Sequence, residues 1–291
     1  MSRNCKGYGA SGPQIIWPNQ ARCVVNFVIN YEEGAERSPL NHDKFAETYG
    51  GEFPLSPRQA GIRHLSMESL YEYGSRTGIW RLIRLFDSRQ VPVTFFVTGF
   101  ALLQNREFAA YLSNSPHDIA GHGWRWLDYQ ELSQDEEQEH IHKCLQAIRS
   151  LTGKQATGWY TGRQSIHTRQ LVAQCSDILY CSDSYADDWP YDEQGLLMLP
   201  YSLDCNDFRY STSPGWSCGA DFLSHLIDSF DYLYQENKGA IMTIGLHPRF
   251  SGHPGRCAVI AKFLDHLQAY PDIWLTHRQD IAKHWLQQSA M

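Results

Sequence analysis

The sequence predicts an α/β fold, an irregular (β/α) barrel of about seven strands, and two observations carry that reading. Short apolar runs recur along the 291 residues, and amphipathic helical patterns lie between many of them, the alternation that gives a mainly parallel sheet. Clusters of carboxylates, imidazoles and guanidinium groups then follow five of these runs directly, where parallel folds gather their chemistry. A doubly wound open sheet is the competing arrangement. It is weakened because no Gly-rich phosphate loop follows the first run.

The strand-like runs are 23–29 (CVVNFVI), 91–98 (VPVTFFVT), 117–120 (HDIA), 157–160 (TGWY), 178–182 (ILYCS), 196–200 (LLMLP), 240–246 (AIMTIGL) and 273–276 (IWLT). Helical periodicity marks 66–88, 133–151, 221–235 and 256–270, and Ser133 with Glu136 three residues later forms a capping-box pattern. No repeat or Ser/Gly/Pro-rich linker divides the chain, so it reads as a loose N-terminal arm, residues 1–20, and a single barrel domain, 21–291. The polar stretch 34–63 has little periodicity and reads as a functional loop, either a lid or an interface.

Composition narrows the function. Hydrophobic residues make up 42%, enough for a sizeable core, and the formal charge of -7 argues against a nucleic-acid partner, which needs a basic face. The opening residues show no apolar h-region and no stretch reaches membrane-span length, so the expected location is cytoplasmic with no membrane partner. Eight scattered cysteines without a C-x-x-C pair fit reduced thiols.

The five clusters follow the strands in order. They are Asn30-Tyr31-Glu32-Glu33-Gly34, Gly121-His122-Gly123-Trp124-Arg125-Trp126, Thr161-Gly162-Arg163, Asp183-Ser184-Tyr185-Ala186-Asp187-Asp188-Trp189, and His247-Pro248-Arg249. They suit water-mediated hydrolysis. Glu32 and Glu33 point in different directions on extended backbone, so one can face the barrel mouth while the other supports a neighbour. A carboxylate can serve as general base and a histidine can protonate a leaving nitrogen near neutral pH. Arg163 can hold a carboxylate or a substrate carbonyl through two hydrogen bonds. Asp183 reads either as a partner of the site or as a cap on local backbone. Trp126 and Trp189 read as pocket walls or as core.

These strings resemble the polysaccharide-deacetylase (NodB-like) family over nearly the whole chain. Its Thr-Phe-Asp-Asp-Gly corresponds to residues 30–34, its His-Ser/Thr-x-x-His to 122–126, its arginine motif to 162–165 and its Leu-His to 246–247. In the metal-dependent members an Asp and two His hold a divalent ion. The matching positions here are Glu33, His122 and Trp126, and an indole offers a metal no lone pair. With residues 67–76, 182–188, 203–209 and 245–249, the altered set is similar to the cofactor-independent allantoinases within that family.

The resemblance implies hydrolysis of the cyclic amide of allantoin to allantoate by a homo-oligomer, a tetramer, with no metal and no cofactor. The implied catalytic residues are Glu32 as base, His247 as acid, Arg163 orienting Glu32 or steadying the oxyanion, and Asp183 or Asp188 orienting His247. Glu33, His122, Trp126, Asp188, Trp189, Asn206, Asp207 and Arg249 are the implied substrate-binding set. A metal-dependent N-deacetylase of chitin- or peptidoglycan-type glycans, and an imidase or amidase acting on another ring, are the alternatives.

Overall fold

The computed structural model describes residues 3–13, 15–54 and 59–289. Residues 1, 2 and 14 of the expected arm and 55–58 of the polar stretch lie outside it. Nine strands form one sheet: β1 (Cys23–Tyr31), β2 (Val93–Val97), β3 (Asp118–Gly121), β4 (Gly158–Trp159), β5 (Tyr180–Cys181), β6 (Tyr191–Glu193), β7 (Leu196–Met198), β8 (Ile241–Leu246) and β9 (Ile273–Leu275).

Seven of these run parallel in the order β7-β5-β4-β3-β2-β1-β8. After β7 the chain reaches β8 again through a parallel bridge between Asn206 and Gly245. That bridge bends the sheet into an irregular barrel of seven strands. It depends on Gly245, where a Cβ would lie 2.2 Å from the Tyr201 hydroxyl. β6 pairs antiparallel with β7 outside the barrel, and β9 lies beside the first half of β1. Each of the eight sequence-predicted strands has a counterpart. β6, a short polar Tyr-Asp-Glu, has no apolar signature.

Residue parity sets what the barrel encloses. Cys23, Val25, Phe27, Ile29 and Tyr31 of β1 pack outward with the helix-facing core, as do Val93, Phe95 and Val97 of β2. The alternate residues point inward. They stack in layers, like the filled interior of other parallel barrels. At the bottom, the fully buried Arg278 donates to Asn26, Thr243 and Ser182. Above it lie Val28, Phe96, Ala120, Tyr160 and Tyr201. The same parity sends Glu32, His122 and His247, which follow β1, β3 and β8, to the mouth.

The helical pattern at 66–88 folds as two α-helices, Leu65–Tyr73 and Ile79–Ser88, joined by a π turn at Gly74–Gly78. That turn lets the chain approach closely. A Cβ on Gly74 would meet Glu33 Oε1 at 2.5 Å, and one on Gly78 would meet Pro248 O at 2.1 Å. The helix Gln134–Thr152 carries the Ser133–Glu136 capping box expected from its sequence. The described part of the arm is pinned rather than loose: Trp17 is buried, and its indole N–H donates to Gly239 O. All eight cysteines are free thiols. No helix among the described residues is long and apolar enough to cross a membrane.

Candidate active site

Glu32 sits at the centre of the barrel mouth, 2% exposed. Its Oε1 lies 3.0 Å from His122 Nε2 and 3.5 Å from His247 Nε2, and its Oε2 lies 2.7 Å from the Arg249 guanidinium. Burial alone would raise its pKa. Arg249 first, then His247 and His122, overcome that and hold the carboxyl well below the usual range. Glu33, one residue on, has the opposite parity. It folds back beneath Arg249, accepting from the Glu32 N–H at 2.9 Å, and burial with the Glu32 charge beside it pushes it up to about 7 against the pull of Arg249.

His247 is held from behind. Its Nδ1 lies 2.7 Å from Asp207 Oδ1, so the Nδ1 proton is fixed and Nε2 faces Glu32. Burial disfavours the imidazolium, but Glu32 and Asp207 outweigh it and raise the pKa to about 9. His122 Nδ1 lies 2.6 Å from the Tyr160 carbonyl, which can only accept, so that nitrogen carries a proton and Nε2 meets Glu32.

These groups open onto a cavity of about 120 Å³. Asn30, Glu32, His122, Arg163, Asn206 and His247 supply its polar lining, and Tyr49, Trp126, Tyr160, Tyr185, Tyr201 and Phe208 its aromatic walls. The polar stretch after β1 contributes Tyr49, which stacks parallel to Trp126. Arg163 lies over the Trp126 ring at 4.1 Å and donates to the Trp126 carbonyl at 2.8 Å.

The structure thus gathers Glu32, His122, Trp126, Arg163, Asn206 and His247 on one cavity and places the other expected residues elsewhere. Asp183 caps backbone, accepting from the Thr161 and Gly162 N–H groups, and does not orient His247. That is the work of Asp207. Arg249, not Arg163, is ion-paired with Glu32. Both Asp207 and Arg249 are completely buried, as is the Glu33 side chain, so these three support other side chains instead of touching a substrate. Asp188 and Trp189 leave the mouth for a separate groove, because the chain there turns outward into the β6–β7 hairpin. Asn30 stands in the first of the five clusters with no role assigned to it, and Tyr160 was missed, although each continues the inward parity of its strand. Tyr49 and Phe208 come from irregular segments and give no such signal.

The family's metal positions do not fit an ion here. Glu33 points away from the cavity, Trp126 has no lone pair, and the second oxygen of Glu32 is occupied by Arg249. Among the described residues, the potential ligand atoms of Glu32, His122 and His247 do not form a group within 4.8 Å of one another.

A parallel barrel that converges a carboxylate, two imidazoles and a buried guanidinium on one small cavity defines a hydrolase-type site at strand ends. The family profile for polysaccharide deacetylase matches residues 66–177. A putative polysaccharide deacetylase of Schizosaccharomyces pombe is 38% identical over 293 residues, covering 92% of each chain. The solved structure of a probable polysaccharide deacetylase from Pseudomonas aeruginosa PAO1 superposes with a TM-score of 0.97 at 40% identity over 100% of both chains. That of Puue allantoinase does so with a TM-score of 0.95 at 40% identity, over 98% of this chain and 97% of the other. The chain belongs to the polysaccharide-deacetylase (NodB-like) family of C–N bond hydrolases.

Proposed function

We propose that the protein opens the cyclic amide of allantoin to give allantoate, without a metal. The carrying observation is the cavity of about 120 Å³ between the Glu32–His247 pair and six aromatic rings. Pockets for drug-sized ligands hold roughly 300–1,000 Å³, so this one suits a single small ring and not a glycan chain. The likeness to Puue allantoinase supports the same reading.

Water attacks the ring carbonyl and Glu32 takes its proton. The C–N bond then breaks, and His247 Nε2 gives its proton to the departing nitrogen. Glu32 is ionised across neutral pH, which makes it a weak base at rest. The Arg249 and His247 charges that depress the carboxyl are both present in this first step, so the transfer is driven by the acidity the water gains as its C–O bond forms. Arg163, at the cavity wall, binds the carbonyl oxygen as it gains charge. His122 holds Glu32 in place. The hydantoin ring nitrogen is shared with a second carbonyl, so the amide carbonyl is more electrophilic and the departing nitrogen better stabilised than in a sugar acetamide, and oriented donors and acid–base groups suffice.

Under this reading the protein works in the cytoplasm as a homo-oligomer, a tetramer, which light scattering tests. The decisive assay incubates chelator-treated protein with allantoin and, in parallel, N-acetylglucosamine oligomers. Allantoate from the first and no acetate from the second is the expected result. Acetate release restored by added metal would replace this reading with the glycan deacetylase.

A further inference from the structure

Beside the mouth, a groove of about 1120 Å³ runs between the N-terminal arm and the loop that follows β7. It carries three donors that the hydrolysis does not use. The Asp204 carboxylate, the Cys205 thiol and the His225 imidazole bring their ligand atoms within 4.8 Å of one another. His225 Nε2 lies 2.8 Å from Asp204 Oδ2. Two separate elements fix this arrangement. Ser202 Oγ accepts from the Asp204 and Cys205 N–H groups and shapes the loop, while His225 projects from the helix Gly219–Glu236.

An oxygen, a nitrogen and a sulfur within one small sphere suit a zinc-class ion. Magnesium and calcium prefer oxygen alone. The surroundings favour a cation as well. Asp187, Asp188, Asp228 and Glu236 line the same groove, as does Lys6, and Lys238 pairs with Glu236 at 3.5 Å. The Asp188 carboxyl is raised by burial and then by Asp187, Glu236 and Asp204, which reports the crowding of negative charge. Arg209 engages Asp204 through Oδ1, at 3.3 Å, and leaves Oδ2 for the ion.

We infer that this groove binds a zinc-class divalent cation through Asp204, Cys205 and His225. On binding, the Cys205 thiol releases its proton to solvent, and the His225 proton now facing Asp204 moves to Nδ1, freeing Nε2 for the ion. Asn206 and Asp207 follow Cys205 directly. The ion therefore stiffens the stretch that seats Asp207 behind His247.

Chelator-treated full-length protein is titrated with Co²⁺ and then with competing Zn²⁺. The expected result is one equivalent of Co²⁺ with a thiolate-to-cobalt charge-transfer band, and a melting temperature that rises with zinc. Asp204→Asn and His225→Ala, both on partly exposed side chains, each weaken binding at least about tenfold while melting like the unaltered protein when metal-free. Cobalt binding without the charge-transfer band, or full affinity in His225→Ala, overturns the assignment. An ion held at His122 or His247 would give that second outcome.

Discussion

Asp207 divides its carboxylate between two tasks: Oδ1 lies 2.7 Å from His247 Nδ1, and Oδ2 accepts the backbone N–H groups of His247 and Ser251. The side chain that should donate the proton and the turn that carries it therefore share one anchor. With its pKa raised to about 9, His247 stays protonated through neutral pH, and turnover should fall as pH climbs through that value. Asp207→Asn removes one of the two charges that sustain the imidazolium. The basic limb of the rate profile should move to lower pH and kcat should drop by about 10²-fold. An unmoved basic limb would show that His247 is not the acid.

Glu32→Gln tests the base. Gln keeps the shape and can still face Arg249, but it accepts no proton from water. Loss of about 10²–10⁴ in kcat with near-normal binding of allantoin is expected, read from single-turnover kinetics and calorimetry. Arg249→Met tests the ion pair from the other side. Arg249 is fully buried, and its removal strands Glu32 without a guanidinium. A stability loss of about 3–5 kcal/mol in urea unfolding should follow.

Much of this site was legible because strands have a period of two. Once 23–29 reads as a strand, Glu32 and Glu33 must diverge, and the structure sends them to opposite faces of β1. His122 and His247 were legible on the same grounds. What could not be read were partners fixed by the tertiary path. Which carboxylate stands behind His247 is decided by the Asn206–Gly245 bridge, which joins segments about 40 residues apart and has no local pattern. The exchange of Arg163 for Arg249 has a similar cause. Both arginines follow strands, but the chain turns at Pro248 into the short helix Pro248–Ser251, against the π turn, and this carries Arg249 under Glu32. The β6 strand and several short helices were missed because runs of three to six residues carry too little periodicity.

Glu33 makes the fold sensitive to pH. Burial raises its carboxyl to about 7, with Arg249 opposing and Glu32 adding to the shift, while in the unfolded chain it titrates near about 4.3. Between those values the folded state binds the extra proton. The stabilisation is complete below about 4.3 and is lost as pH rises through about 7. Glu36, also raised to about 7 by burial, adds a slope of the same sign. Melting curves from pH 4.5 to 8, values set by about these two limits, should therefore be flatter for Glu33→Gln than for the unaltered protein, with the Glu36 share remaining. Parallel curves would mean that Glu33 is ionised in the fold at all these pH values.

Trp126 invites the substitution that nominally rebuilds the family's ion site, Trp126→His. Position 126 would then offer a second imidazole close to His122. The third donor would still be missing, because the fully buried Glu33 side chain does not line the cavity, and Glu32 already spends its oxygens on Arg249 and the two histidines. A catalytic zinc needs three protein ligands with an open position. The variant should therefore retain no zinc beyond that of the unaltered protein in elemental analysis. It should also lose turnover, since Trp126 supports the Arg163 guanidinium at 4.1 Å and stacks on Tyr49 at 6.1 Å. One extra equivalent of zinc, with activity that follows it, would mean that Arg249 yields to an ion and that the acid–base account of this mouth is wrong.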